Sequence, residues 1–276
     1  MIDKKTSSGH HPAAPRAAGS ESKPWHPTKP MGLARALLKA GYGTRRQTEE
    51  MVSQGRIRLG DKIVTNAQHM VDAGAEIFLD GELLQCLKLR YFAMHKPLRV
   101  FCGEADGSGR KLIDEYFPVD VAGLAAAGRM DSKTTGLILA SNDTAWNNMI
   151  TTTRGLEQEY RIQVEGELSE LEIRIMTAGV HLSGLGIFRP QAVRIVEIMN
   201  GQTVVNLTVG EGKIRQVKRM MTSLRHQVRV IRRIRIGDIR LASLSLGGYR
   251  ELSSPEIASI RAIHSAADGK SGGQGG

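Results

Sequence analysis

The chain has 276 residues, 41% of them hydrophobic, which suffices for a buried core in one large domain or two unequal ones and excludes a disordered chain. Lys and Arg outnumber Asp and Glu by 38 to 28, and the net charge of +10 favours a phosphate-rich partner, most simply nucleic acid. Cys86 and Cys102 are too few for a disulfide framework, no apolar run approaches the ~18 residues of a membrane span, and the opening Met1-Ile2-Asp3-Lys4-Lys5 lacks the apolar core of a secretory signal, so a cytoplasmic protein is expected.

Residues 1–30 are rich in Ser, Gly, Pro, Ala, His and Lys and show no hydrophobic period. They read as a disordered basic tail, in which His10 and His11 could hold a metal only adventitiously. A first block spans residues 31–84. Leu33, Ala36, Leu37 and Ala40 are spaced for one face of a short helix that Gly41 stops. Thr44 is a good N-cap for a second helix, with Gln47 completing a capping box, Met51 and Val52 on the apolar side and Gly55 at the end. Short alternating segments follow at Arg56–Leu59, Lys62–Val64 and Glu76–Leu79, punctuated by turns at Gly60-Asp61 and Asp80-Gly81. Residues 81–89 read as a hinge.

A second block covers residues 90–263. Strand signals occur at Arg90–Met94, Tyr160–Val164, Ala192–Ile198, Thr203–Val209 and Val228–Ile236, and helix signals at Asn142–Thr151, Ser169–Thr177 and Ile214–Leu224. No regular βαβ rhythm links them, which points to an α+β fold with a mixed, largely antiparallel sheet flanked by helices. Residues 264–276 read as a flexible Gly-rich tail.

The run Gly128-Arg129-Met130-Asp131-Ser132-Lys133-Thr134-Thr135-Gly136 sets one carboxylate between a basic residue and a turn, at the mouth of an apolar segment. An Asp so placed, with an Arg two positions before it, can act as a nucleophile beside a bound polyanion. The chain has no Walker loop and no His/Cys metal spacing, so neither cofactor nor metal is expected. In the first block, Arg45 and Arg46 open the second helix, where free N–H groups and the helix dipole already attract anions. Two cations there oppose the dipole, which makes sense if phosphates are the target. Arg35, Lys39, Arg56, Arg58 and Lys62 could extend that patch.

The pattern Ala40-Gly41-Tyr42-Gly43-Thr44-Arg45-Arg46, Glu49-Glu50-Met51-Val52, Gly55-Arg56-Ile57-Arg58-Leu59-Gly60-Asp61-Lys62 and Val64-Thr65 resembles the S4 RNA-binding domain, with Gly32 where that domain often carries a basic residue. Four segments of the second block resemble the RsuA-type pseudouridine synthases in order and approximate spacing. They are His95-Lys96-Pro97-Leu98-Arg99-Val100; Gly128-Arg129-Met130-Asp131 with Thr134-Thr135-Gly136-Leu137; Glu159-Tyr160-Arg161-Ile162; and Glu211-Gly212-Lys213-Ile214-Arg215-Gln216-Val217-Lys218-Arg219-Met220 followed by Arg235-Ile236-Gly237.

That resemblance implies isomerisation of a uridine in ribosomal RNA, free or within a ribosome assembly intermediate, by a monomer. It assigns the essential role to Asp131, which adds to C6 of uracil, adds to C1′, or takes a sugar proton on a glycal route; the sequence leaves all three open. Lys218 would sit beside Asp131 and depress its pKa. Arg129 would fill the place of the flipped-out base or hold a flanking phosphate, and Tyr160 would stack on the uracil. Lys96, Arg215 and Arg219 join Arg45, Arg46, Lys39, Arg56 and Lys62 as expected RNA contacts, and Arg232 and Arg233 as further backbone contacts. Three departures from the family pattern bear on the choice of substrate: Gln158 stands where a basic residue is usual, Arg225-His226-Gln227 replaces a Gly-His-Pro-like turn, and Asn142-Asp143-Thr144 replaces Asn-Asp-Gly. The alternatives are a non-catalytic RNA-binding or ribosome-assembly factor on the same scaffold, or the same chemistry on transfer RNA.

Overall fold

The computed structural model describes residues 23–103, 109–118, 121, 123–210 and 214–271. The chain divides into two units, the first formed by Met1–Lys88 with Val119–Gly123 and the second by Leu89–Pro118 with Leu124–Gly276.

The first unit is built on helices α1 (Leu33–Lys39) and α2 (Arg45–Ser53). The apolar face of α1 buries Leu33, Ala36 and Leu37. The capping box of α2 forms as its sequence predicts: Gln47 N–H donates to Thr44 Oγ1 at 3.4 Å, and Thr44 N–H to Gln47 Oε1 at 2.8 Å. Strand β1 (Met31–Gly32) pairs with β4 (Met70–Val71), while β2 (Ile57–Leu59), β3 (Lys62–Val64), β5 (Ile77–Leu79) and β6 (Glu82–Leu83) form a four-stranded sheet in the order β3-β2-β5-β6. Asp80 and Gly81 turn β5 into β6 with φ of 51° and 86°, the left-handed pair that a two-residue hairpin needs.

Two expectations change here. Residues 23–30 are not a loose tail: Trp25 N–H donates to Leu84 O at 2.8 Å, Cys86 N–H to Lys23 O at 2.9 Å and Gly74 N–H to Pro27 O at 2.8 Å, and Trp25 packs on the core. These contacts are non-local and leave no period in the sequence. Residues 1–22, with His10 and His11, lie outside the described residues. The segment read as a hinge is largely committed to this unit, because Glu82 and Leu83 form a strand and Leu84 and Leu87 are buried.

The second unit is a nine-stranded mixed sheet. Its strands are β7 (Tyr91–Lys96), β8 (Ala125–Ala126), β9 (Thr135–Ser141), β10 (Gln158–Glu165), β13 (Ala192–Met199), β14 (Gln202–Val209), β15 (Val228–Ile236), β16 (Ile239–Arg240) and β17 (Tyr249–Glu251). The main order is β13-β14-β10-β15-β9-β7-β17, with β8 on β9 and β16 on β15; only β9 and β15 run parallel. A small hairpin, β11 (Val180–Leu182) with β12 (Gly186–Phe188), stands apart. All of β9 is buried, so it reads as a continuous apolar run and not as an alternation.

Helices α3 (Thr144–Thr152), α4 (Glu170–Ala178), α5 (Ile214–Ser223) and α6 (Ser254–Ser271) flank the sheet. Helix α5 sets Val217, Met220 and Met221 against Tyr160, Ile162, Leu207 and Ile231. Trp146 of α3 and Ile260 of α6 pack with Leu137, Leu139 and Ile236 in a second core. Helix α6 reaches Ser271, into the segment read as a flexible tail. His264 Nδ1 lies 2.7 Å from Thr153 Oγ1, and His264 Nε2 lies 3.3 Å from Asp268, which ties the later turns down.

Candidate active site

Asp131 sits in the loop that leads from β8 into β9. Three backbone bonds hold the loop: Ala127 N–H to Leu139 O at 2.7 Å, Arg99 N–H to Ser132 O at 2.7 Å, and Thr134 N–H to Asp131 O at 3.2 Å. The Thr-Thr-Gly turn has a packing reason as well as a conformational one. Gly136 has φ of 112° and lies opposite Arg233 in the parallel ladder, so a Cβ there would collide with the Arg233 backbone.

From α5, Lys218 Nζ donates to Asp131 Oδ2 at 2.8 Å, and each side chain is about one-third exposed, at 31% and 33%. The other carboxylate oxygen, Oδ1, is screened from solvent and makes no hydrogen bond of ordinary geometry; the Thr134 hydroxyl is in the same position. Burial pushes the Asp131 carboxyl up, but the Lys218 ammonium, with smaller help from the Thr134 hydroxyl and the Lys133 backbone N–H, outweighs it and holds the group below the ordinary carboxylate value. The acid is therefore ionised at neutral pH, reachable at its rim and aimed at the amine.

The loop that carries Asp131 also borders a cavity of about 470 Å³, lined by Arg129, Met130, Thr134, Gln158, Tyr160 and Arg233 among others but not by Asp131 or Lys218 themselves. Arg129 is exposed there. Tyr160 is only 2% exposed, and its hydroxyl donates to Gln158 Oε1 at 2.8 Å. The same oxygen accepts from Arg233 Nη1 at 3.0 Å, while Arg233 Nε donates to Leu137 O at 2.7 Å. Gln158, a departure from the family pattern, is thus the acceptor that joins the tyrosine to a buried guanidinium. Arg233, expected as a backbone contact to RNA, is instead an internal brace.

The expected RNA contacts divide by burial. Arg45, Arg46, Lys39, Lys62, Arg215 and Arg219 are all exposed. Arg45 pairs with Glu49 at 2.8 Å, and Arg219 reaches Ser183 O at 3.4 Å. Arg56, partly exposed, also has a structural contact: it forks onto Asp80 at 3.0 and 2.6 Å and pins the β5–β6 turn. Lys96 is corrected. It is fully buried, and its ammonium donates to Pro97 O and Val100 O, each at 2.8 Å. Desolvation lowers its pKa, with the Asp131 charge acting in the opposite sense. A side chain so enclosed cannot meet a phosphate; it props the chain that leads into the catalytic unit's first turn.

The S4 domain family matches residues 31–77, and the family described as RNA pseudouridylate synthase matches residues 90–223. An uncharacterized RNA pseudouridine synthase of Aquifex aeolicus is 31% identical over 228 residues, covering 81% of this chain and 91% of the relative. The ribosomal large subunit pseudouridine synthase B of Salmonella typhi is 30% identical over 243 residues, covering 84% of this chain and 82% of its own. A crystal structure of a pseudouridylate synthase superposes with a TM-score of 0.57 at 29% identity, over 83% of this chain and 99% of that one. The chain belongs to the RsuA-type RNA pseudouridine synthases, isomerases that act on RNA. No helix among the described residues is long and apolar enough to cross a membrane.

Proposed function

We propose that this enzyme converts one defined uridine of ribosomal RNA to pseudouridine, with large-subunit RNA as the substrate, and that Asp131 is its essential acid. The observation that carries the reading is the 2.8 Å contact between Lys218 and Asp131, with Asp131 in the same loop as Arg129, Met130 and Thr134, which line a cavity together with Tyr160. The substrate class is supported by the relatives named as ribosomal large subunit synthases.

In the reaction the C1′–N1 bond breaks, the uracil turns, C5 bonds to C1′, the C5 proton is lost and N1 takes up a proton, so the product is an isomer of the substrate and no oxidant or phosphoryl donor is needed. The target base leaves its stack at a cost of a few kcal/mol, and the guanidinium of Arg129 takes the vacated place. Tyr160 supplies an apolar face to the uracil, and its tether to Gln158 stops the ring from following the base as it turns. Lys218 keeps the Asp131 carboxylate charged beside a polyanion that would otherwise favour its protonation.

The test is chemical mapping of pseudouridine in both ribosomal RNAs from cells with and without the protein. One large-subunit site should vanish in its absence. Loss of a small-subunit or transfer-RNA site instead would transfer the substrate, and no change at any site would remove the proposal.

A further inference from the structure

A second cavity of about 500 Å³ is lined by Lys133, Lys218, Arg225, His226, Gln227 and Arg229 among others. Its charges are not equivalent. Lys218 is committed to Asp131, and Arg229 is paired with Glu165. His226 is fixed by Glu165 O at 2.8 Å and by Glu172 Oε1 at 2.9 Å. Lys133 and Arg225 are exposed and form no ion pair among the described residues.

The backbone gives Arg225 further weight. Arg225 N–H donates to Thr222 O at 2.9 Å, and His226 N–H donates to Met221 O at 2.9 Å. This is the bonding of a Schellman motif at the end of α5, with Arg225 in the left-handed position that glycine normally takes. Its φ is 65°. A long cationic side chain thus stands where the backbone favours none, and the cavity it lines also takes in Lys218, the partner of Asp131. A strained backbone position beside a proposed reaction centre motivates a role for the side chain.

We propose that this cavity is a phosphate subsite for the RNA strand next to the flipped-out uridine, with Arg225 and Lys133 as its anion-binding pair. It rests on the reading of Asp131 and Lys218 as the reaction centre. It makes the Arg225-His226-Gln227 turn a determinant of which flanking backbone path the enzyme accepts.

The experiment uses the full chain and a large-subunit ribosomal RNA transcript. Arg225→Gly removes the guanidinium and relieves the strained position, so the melting temperature should hold or rise. RNA affinity should fall about tenfold, with the loss in KM rather than kcat, and the slope of log affinity against log salt should shrink by about one. Arg225→Lys keeps charge and strain and should stay near wild type in affinity. Lys133→Met should reproduce the affinity and slope effects. Unchanged affinity and slope in Arg225→Gly overturn the subsite. Wild-type protein that binds the transcript without making pseudouridine refutes the parent reading, and the slope comparison still decides the subsite.

Discussion

Replacing Lys218 by Met removes the positive partner and keeps the length of the side chain. Two unit charges 2.8 Å apart attract by about 6 kcal/mol at the effective dielectric of ~20 suited to a pair near the surface. Desolvation and side-chain ordering consume most of that, and a charge-assisted hydrogen bond nets ~1.5–3 kcal/mol. Because both groups are about one-third exposed, the lower end applies. The sign then follows from linkage. The folded-state pKa of Asp131 lies below its unfolded value of about 3.9, so its contribution to stability is present above that value and is lost as pH falls through the folded one. In Lys218→Met the burial that opposes ionisation is no longer outweighed. The variant should therefore unfold more easily than wild type at pH 7, and the gap should close in acid. The rate should show the same change through another observable: the acid limb of the pH–kcat profile should move to higher pH, and kcat at pH 7.5 should drop ~10²–10³-fold. Lys218→Arg restores the charge and should return the acid limb while recovering kcat only in part, since a planar fork replaces a point charge. Urea titration and single-turnover assays, both carried from about pH 3 to about pH 9 so that the acid limb falls inside the range, measure both effects. An acid limb in Lys218→Met that coincides with wild type would show that the ammonium does not govern ionisation of the acid.

Asp131→Asn keeps the shape and one acceptor for Lys218; single-turnover assays should find no pseudouridine, while filter binding finds RNA affinity within about threefold of wild type. Removing both charges with Arg45→Ala and Arg46→Ala should weaken binding and lower the salt slope by up to about two, with kcat at saturating RNA unaltered; an unchanged slope would exclude the start of α2 from the phosphate contacts. Gly136→Ala should destabilise the second unit by more than ~3 kcal/mol in urea titration, because the added carbon meets the Arg233 backbone and not the yielding tip of a side chain. A stable Gly136→Ala protein would mean that β9 and β15 can separate without loss.

The elements that were legible in the sequence are those with local causes. Thr44 and Gln47 make the cap of α2 from residues three apart, Asp80-Gly81 encodes its own turn, and β10, β14 and β15 carry enough apolar character to be recognised alone. The elements that were missed depend on distant partners or on unused signals. The strap from Lys23 to Pro27 exists because of backbone groups near residues 74 and 84–86. Helix α6 carries a local signal: Ser253 N–H and the Ser253 hydroxyl both donate to Glu256 Oε2, at 2.9 and 3.0 Å, and Pro255 sits in the first turn where its missing donor costs nothing.

The charged residues of the site separate along a different line. A sequence records a cation but not its dielectric surroundings, and the same letter serves opposite ends here. Lys96 and Arg233 are buried, with N–H groups bound to carbonyl oxygens, so they brace the chain around Asp131 and Tyr160. Arg225 is exposed, unpaired among the described residues and held at a backbone angle that costs energy. Neighbouring motifs cannot tell these cases apart, because burial is settled by strands that pair across more than a hundred positions, such as Tyr91–Lys96 against Tyr249–Glu251. Lys218 holds the charge of the reaction centre before RNA arrives, and the buried cations brace the backbone around it. Those at its rim are left to choose the strand that reaches it, so a change of substrate within this scaffold should fall on the rim and spare the interior.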